Sequence, residues 1–304
     1  MEEKWKEVAL GDISTMELAK MPEKGKSNLY TEPDLLVIAK GVEDIGRVSI
    51  SPKSPITNSL IVINLDEEIA DKKYCYYYLK AQNLKNISDN SKKPQITITN
   101  LKKVRVKMPP LAEQQRIAAI LTTFDNKIKR YNKFSKALEK AVQAIFRHWF
   151  IDFEFPDEDD KPYKSSGGEF VNTDWGSLPK GWHVGKYTEI TEIISGATSM
   201  ALNQSDFTLK GKENMDRYLI YMLTNICNKN LLKRSGDIFK IVDIDRLESS
   251  NVLIPPKKVI HKFKNTAGPL FDKVTQQNKT NNTLLKLRNK LLLELTSGEM
   301  RVVV

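Results

Sequence analysis

The residues that could do covalent or metal chemistry here are few and scattered. Three histidines, His148, His183 and His261, occur in 304 residues. None stands in an HExxH pair or beside a nucleophile. His148 and His261 fall on helical faces, where packing or solvent accounts for them. Cys75, in YCYYYL, and Cys227, in NICNKN, are the two cysteines. Two cannot build a disulfide framework or a cysteine zinc site, and both read as small buried hydrophobes. Gly25-Lys26-Ser27 matches the end of a phosphate-binding loop, but Lys20 stands where the first glycine belongs and no strand leads in, so the match is chance. What the chain does carry is positive charge, a formal +10 with pI near 9.3, which suits a polyanionic partner.

The elements that must position that charge come next. At 40% apolar and 28% charged residues the chain can bury one large core or two modest ones. Its longest apolar runs, Leu35–Ala39 and Leu60–Leu65, are too short to span a bilayer, and the acidic start MEEKWKE is no signal peptide, so no membrane partner and a cytoplasmic location are expected. The charge is uneven. Residues 1–108 hold 18 basic and 15 acidic groups (+3), 109–150 hold 8 and 3 (+5), 151–175 hold 2 and 8 (−6), 176–255 hold 10 and 9 (+1), and 256–304 hold 10 and 3 (+7). The acidic stretch DFEFPDEDDKPYKSSGGEF has the composition of a connector that buries little, and marks a domain boundary.

An internal repeat organises the rest. Pro110 and Pro256 each open a long apolar-periodic run, and the two runs coincide at an offset of 146. In the first, Ile117, Leu121, Phe124, Ile128, Tyr131, Ser135, Leu138, Val142, Ile145 and Trp149 follow alternating steps of four and three. The matching positions of the second are Phe263, Ala267, Leu270, Val274, Gln277, Asn281, Leu284, Arg288, Leu291 and Leu295. This is a heptad seam, and proline suits a first helical turn, where its missing N–H is not needed. Two helices of roughly 58 Å, from ~1.5 Å per residue, need partners for their stripes, and each is the natural partner of the other. The polar pairs Tyr131/Ser135 and Gln277/Asn281 occupy the middle of each run, which favours antiparallel pairing, since only then do the two polar layers meet. Upstream, Trp5 precedes Ile13 and Trp182 precedes Ile190 by the same eight residues. YCYYYLKAQ and YLIYMLTNI read as short helices against a sheet. QITITNLKKVRVKMPP and IFKIVDIDRLESSNVLIPP alternate as strands leading into the prolines. The fold class is therefore α+β: two mixed α/β domains, each followed by a long helix, with the helices paired as an antiparallel coiled coil. The domain map is 1–108, helix 109–150, acidic linker 151–175, a shortened second domain 176–255, and helix with tail 256–304.

The stretches PPLAEQQRIAAIL, FRHWFIDFEFP, LPKGWHVGKYTEI, SGAT, NQS and LLLELTSGEMRV, in this order over nearly the whole chain, resemble the specificity subunit of bacterial type I restriction-modification systems. The resemblance implies two target-recognition domains, each reading one half of a bipartite site in double-stranded DNA, with spacer helices that set the gap. It implies two modification (adenine-N6 methyltransferase) subunits as partners and restriction/translocase subunits that join them. It implies no cofactor in this chain, with S-adenosylmethionine, ATP and Mg2+ on the partners. The chain itself has neither the glycine-rich cofactor loop nor the Asn-Pro-Pro-aromatic site of an amino-methyltransferase. Readers about one helical turn apart approach the same side of a duplex, so helix length and half-site spacing should be linked.

Phosphates attract Lys and Arg, and base edges favour Arg, Asn and Gln, with Ser, Thr and Tyr in support. On that chemistry the DNA-contact candidates of the first domain are Lys24, Lys26, Asn28, Tyr30, Arg47, Asn58, Ser59, Lys92, Lys93 and Gln95. Those of the second are Ser195, Thr198, Asn203, Gln204, Lys210, Lys212, Lys233 and Arg234. Asn58 and Asn203 rank first because the repeat places them alike, 51 and 52 residues before the first proline of each pair. One departure stands out: the tryptophan-to-proline distance is 104 residues in the first repeat and 73 in the second, with the deficit between Ile190 and Asn203. A deletion, or loops missing from the chain, would both account for it. Two other classes compete: a structural coiled-coil protein without DNA specificity, and a nuclease or methyltransferase with unrecognised motifs.

Overall fold

A computed structural model describes residues 5–19, 35–41, 43–50, 59–89, 94–195, 207–212 and 251–302. Two units emerge, Met1–Asn132 with Lys279–Val304, and Lys133–Asn278, so that each boundary falls inside a long helix. Neither unit is one of the segments expected from the sequence. Each combines a globular part with portions of both helices, because a heptad stripe buries itself only against another stripe.

In the first unit, β1 (Lys6–Ala9) pairs antiparallel with β6 (Arg105–Met108). β2 (Ser14–Leu18), β3 (Leu35–Ile38), β4 (Val48–Ser49) and β5 (Leu60–Leu65) form an antiparallel sheet in the order β2-β5-β3-β4. Alternation along the two inner strands divides them between faces. Leu35, Val37, Ile61 and Ile63 join the main core, while Leu36 and Val62 form a small cluster with Ala19 on the other side. The main core is completed by α1 (Lys72–Ala81), whose Tyr74, Cys75, Tyr77, Tyr78 and Leu79 are buried. Asp71 caps α1, its Oδ1 accepting from Tyr74 N at 2.8 Å. Tyr74 donates its hydroxyl to Lys107 O at 2.5 Å, and burial pushes that hydroxyl far above the ordinary tyrosine range.

QITITN does not become a strand. Thr97 Oγ1 accepts from Asn100 N at 3.1 Å and starts α2 (Ile98–Lys102), a one-turn helix that buries Leu101. A local side-chain cap here outweighs period-two alternation. The chain then passes through β6 and the prolines into α3 (Leu111–Phe150). Its first part packs on the end of the last helix, α5 (Lys257–Ser297). Ile117, Ala118, Leu121, Leu292 and Leu295 share the core of this unit. Asp125 Oδ1 lies 3.0 Å from Arg288 Nε, and Asn281 Nδ2 donates to Asn132 Oδ1 at 2.8 Å. Seven residues forward on one helix thus match seven back on the other, which is antiparallel pairing.

The second unit holds β7 (Phe170–Thr173), β8 (Gly176–Pro179), β9 (His183–Lys186), the single turn α4 (Tyr187–Ile190), β10 (Thr191–Ser195), β11 (Phe207–Gly211) and β12 (Asn251–Ile254). The later part of α3 meets the first part of α5 through Phe146, Trp149 and Phe150, whose rings lie 5.9, 5.7 and 5.0 Å from that of Phe263. α5 runs unbroken past Pro269, which is exposed and cannot donate to the carbonyl one turn before it.

The acidic segment is not a slack connector. Phe155 stacks on Tyr163 at 4.5 Å and lies 5.3 Å from Trp182, and Pro156 and Pro162 form a β-bridge. Glu154 accepts the Ser165 backbone and hydroxyl. Asp157 Oδ1 takes the amides of Asp159 and Lys161. The excess carboxylates meet the basic first turns of α5: Lys258 pairs with Glu158 at 2.8 Å and Lys262 with Asp160 at 2.7 Å. Negative charge beside a helix N-terminus is also favoured by the helix dipole. Composition suggested disorder because it averages over the residues. It missed that Phe153, Phe155, Tyr163 and Phe170 converge on Trp182 or on one another.

Candidate nucleic-acid interface

The two units carry one framework twice, and hydrogen bonds fix the correspondence. β1 pairs with β6 as Lys6 opposite Met108, and β9 pairs with β12 as His183 opposite Ile254. β2 meets β5 as Ser14 opposite Leu65, and β10 meets β11 as Thr191 opposite Gly211. Asp66 N donates to Ile13 O and Lys212 N to Ile190 O, both at 2.9 Å. The side chains of Asp12 and Glu189 each accept the amide three residues before them, from Ala9 and Lys186. Every pair obeys an offset of 177 before the missing stretch and 146 after it.

In the first unit the described contact candidates gather at the end of β3. Ile38 N donates to Arg47 O at 3.0 Å, Ala39 N to Ser59 O at 2.7 Å, and Ile96 N to Ala39 O at 2.8 Å. Lys40 and Gln95 form a β-bridge. Arg47, Ser59 and Gln95, distant in sequence, thus surround three residues of one strand end. Lys40, missed in the sequence, joins them; its position directly after the apolar run Leu35–Ala39 was the available signal. Lys40 and Arg47 are exposed, and Arg47 lies 3.4 Å from Asp44, a surface pair that water weakens and a phosphate could displace. Lys24, Lys26, Asn28, Tyr30, Asn58, Lys92 and Lys93 lie outside the described residues, but Asn58 adjoins Ser59, and Lys93 is two residues from Gln95.

The second unit is sparser. Thr198, Asn203, Gln204, Lys233 and Arg234 lie outside the described residues. Ser195 and Lys210 are ladder residues, opposite Phe207 and Glu192. Lys212 does not join them. It follows the far end of β11, donates Nζ to Thr188 O at 2.6 Å, and lines a cavity of about 380 Å³ with His183, Glu189 and Ile260.

The helical seam is burial of another kind. Ile117, Leu121, Ile128, Val142, Phe263, Val274, Asn281 and Leu295 are buried. Phe124, Tyr131, Leu138, Ile145, Leu270, Gln277, Leu284 and Leu291 are half-buried. Off the seam, Phe134, Leu287 and Leu293 stand 48%, 44% and 58% exposed. Residues 20–140 match the model of the type I restriction modification DNA specificity domain. The chain is 27% identical over 337 aligned residues to the MjaIX specificity subunit of Methanocaldococcus jannaschii, covering 85% of this chain and 76% of that one.

The chain is similar to type I specificity subunits.

A 23% match to the putative MjaX specificity subunit of the same organism covers 86% of this chain and 76% of that one. The fold agrees: the crystal structure of a type I S subunit from M. genitalium superposes with a TM-score of 0.63 at 16% identity, over 96% of both chains. The buried acids and hydroxyls of the first unit are held by bonds within it. Burial alone would raise the Glu113 carboxyl, but bonds from Arg301, Trp5 and Val302 outweigh it and hold it below the usual carboxylate range. Burial raises the Tyr77 hydroxyl, which donates to Asp125 Oδ2 at 3.0 Å. Among the described residues no cluster of His, Cys, Asp or Glu could hold a metal ion, and no helix is long and apolar enough to cross a membrane.

Proposed function

We infer that this chain is the DNA sequence-recognition subunit of a type I restriction-modification complex. Each unit reads one half of a bipartite duplex site, and the paired helices set the interval between halves. One observation carries the reading: a single ladder framework occurs twice in the same register, and each copy leads through a proline pair into a helix of about 40 residues. Such a device presents two surfaces of one kind. The recognition surface of the first unit is the β3 end with Lys40, Arg47, Ser59 and Gln95. Lys and Arg there meet phosphates, and Gln95 reads a base edge. The chain contributes no bond-making step. Two modification subunits, matching the twofold repetition, bring S-adenosylmethionine and methylate adenine, and restriction subunits bring ATP and Mg2+.

Co-expression with the modification subunit, followed by mapping of methylated adenines, tests this. A two-part sequence with a fixed gap is expected, with DNA affinity falling steeply as salt rises. Methylation without sequence preference, or DNA binding indifferent to salt, would sink the reading.

A further inference from the structure

We propose that the outward face of α3 in the second unit carries a row of phosphate contacts for the DNA between the half-sites. The inference rests on the recognition role above. Lys133, Lys136, Lys140 and Arg147 each stand two residues before a seam position, namely Ser135, Leu138, Val142 and Trp149. At ~100° per residue, two steps lead to the opposite side of a helix. Val142 and Trp149 share a core cluster with Phe263 of α5, so the cations form one stripe that faces away from the partner helix. All four are exposed, and among the described residues none has an ion-pair partner. From Lys133 to Arg147 the stripe is roughly 21 Å long at ~1.5 Å per residue, the length of about six base pairs at ~3.4 Å each.

Composition favours a polyanion over a protein. Where proteins meet, lysine is depleted and aromatic residues are enriched. Here the exposed positions beside the cations are Ala137, Gln143 and Ala144, while Phe134 lies more than a quarter turn away. The one acidic residue between 133 and 150, Glu139, also stands about a quarter turn off the stripe. The arrangement is particular to α3. In the same unit, the outward positions of α5 are His261, Asn265, Gly268, Asp272 and Thr275, without a lysine or arginine. Solubility alone gives no reason to favour one helix over its partner. In the reading above the paired helices span the interval between halves, so the DNA opposite them is the stretch whose bases are not read, and its phosphates are what remains to hold. A lysine is a point charge on a flexible stem and meets a phosphate without fixed geometry. Such contacts add affinity and salt dependence without sequence preference.

The test uses the complex assembled with its modification subunits, on duplexes that carry both half-sites. Lys133→Gln, Lys136→Gln, Lys140→Gln and Arg147→Gln together should reduce the slope of log affinity against log salt by about three to four, at ~0.9 per phosphate, with both half-site sequences unchanged. Neutral methylphosphonate linkages in the gap should weaken binding by the unaltered complex and leave the variant unaffected. The same linkages outside the half-sites should affect both equally. Should the variant not assemble, the unaltered complex on the neutral-gap duplex still decides. An unchanged salt slope in the variant, or affinity of the unaltered complex indifferent to a neutral gap, would overturn the proposal. A variant that loses its modification subunits, with the unaltered complex indifferent to the neutral gap, would assign the stripe to a protein partner instead. Methylation with no sequence preference would defeat the recognition role itself.

Discussion

Trp5 and Trp182 stand at the same place in the two frameworks and are held by opposite kinds of force. Trp5 donates Nε1 to Glu113 at 3.2 Å and lies under Arg301, whose guanidinium carbon is 5.3 Å from the ring centre. Glu113, 2% exposed, also takes Arg301 Nε at 2.8 Å and Nη2 at 2.9 Å. Gly298, at φ +81°, lets the chain pass close over the indole, where a Cβ would come within 3.2 Å. At the offset of 146, Glu113 becomes Val259 and Arg301 becomes Phe155. Trp182 accordingly sits among Phe150, Phe153 and Phe155, with its buried Nε1 unpartnered among the described residues. The helix ends beneath them turn alike, Met300 N reaching Glu294 O and Glu154 N reaching His148 O. One backbone junction therefore tolerates an ionic clamp or an aromatic cluster, provided that both members change together. The ring cluster buries its indole and the clamp leaves Trp5 half-buried, and removing one member of the ion pair strands a charge where removing one ring does not.

The comparison breaks most sharply at the clamp. Arg301→Ala leaves the Glu113 carboxylate buried and should cost about 3–5 kcal/mol, read as lost hydrogen-exchange protection in the β1–β6 ladder. Transplanting the second unit's solution, Glu113→Val with Arg301→Phe, should restore most of that protection. A double variant no better than the single would show that the two junctions are not interchangeable.

The seam gives the next effect. Leu284→Asp places a charge on a half-buried seam position and should cost about 2–3 kcal/mol, whereas Leu287→Asp, 44% exposed in the wild type, should stay within about 0.5 kcal/mol. Equal melting of the two variants would refute the register.

Acid should separate the junctions. The Glu113 carboxyl titrates below its ordinary value in the folded chain. Its contribution is therefore fully present above the unfolded-chain value of about 4.3 and is lost as pH falls through the lower folded value. The wild type should lose β1–β6 protection below about pH 4 more steeply than the Val/Phe variant. Glu154, Glu158 and Glu169 are also lowered, by bonds from Ser165, Lys258 and Lys180, but all are present in both proteins, so they cancel. Superimposable acid profiles would remove the clamp from the explanation.

The smallest effect belongs to the other tryptophan. Trp182→Phe gives up an N–H with no partner among the described residues and keeps most of the ring, so melting should shift by less than about 1.5 kcal/mol would produce. Limited proteolysis should likewise spare 153–182, where the rings pack. Early cleavage there would restore the reading of that stretch as a connector.

By itself the sequence determined whatever repeats within a few residues or at a constant offset. The heptad steps from Ile117 and Phe263, the proline pairs, and the Trp5–Ile13 and Trp182–Ile190 spacings are local or recurrent, so they mark both helices and the duplication without coordinates. Arg47 and Gln95 could be named from chemistry, but only β3 pairing placed them at one strand end with Lys40. The Glu113–Arg301 clamp joins residues 188 apart, and nothing in either neighbourhood encodes that separation. Gln114 is similar: its side chain takes Asp71 N and serves the carbonyls of Ile69 and Pro109, while Ile260 fills the corresponding place in the second unit. The acidic segment read as unstructured because composition counts charges without their partners, and Lys258 and Lys262 lie about 100 residues further on. Tertiary structure alone decided these features, since burial and pairing depend on which distant groups are brought within a few ångströms, and sequence spacing records only covalent distance.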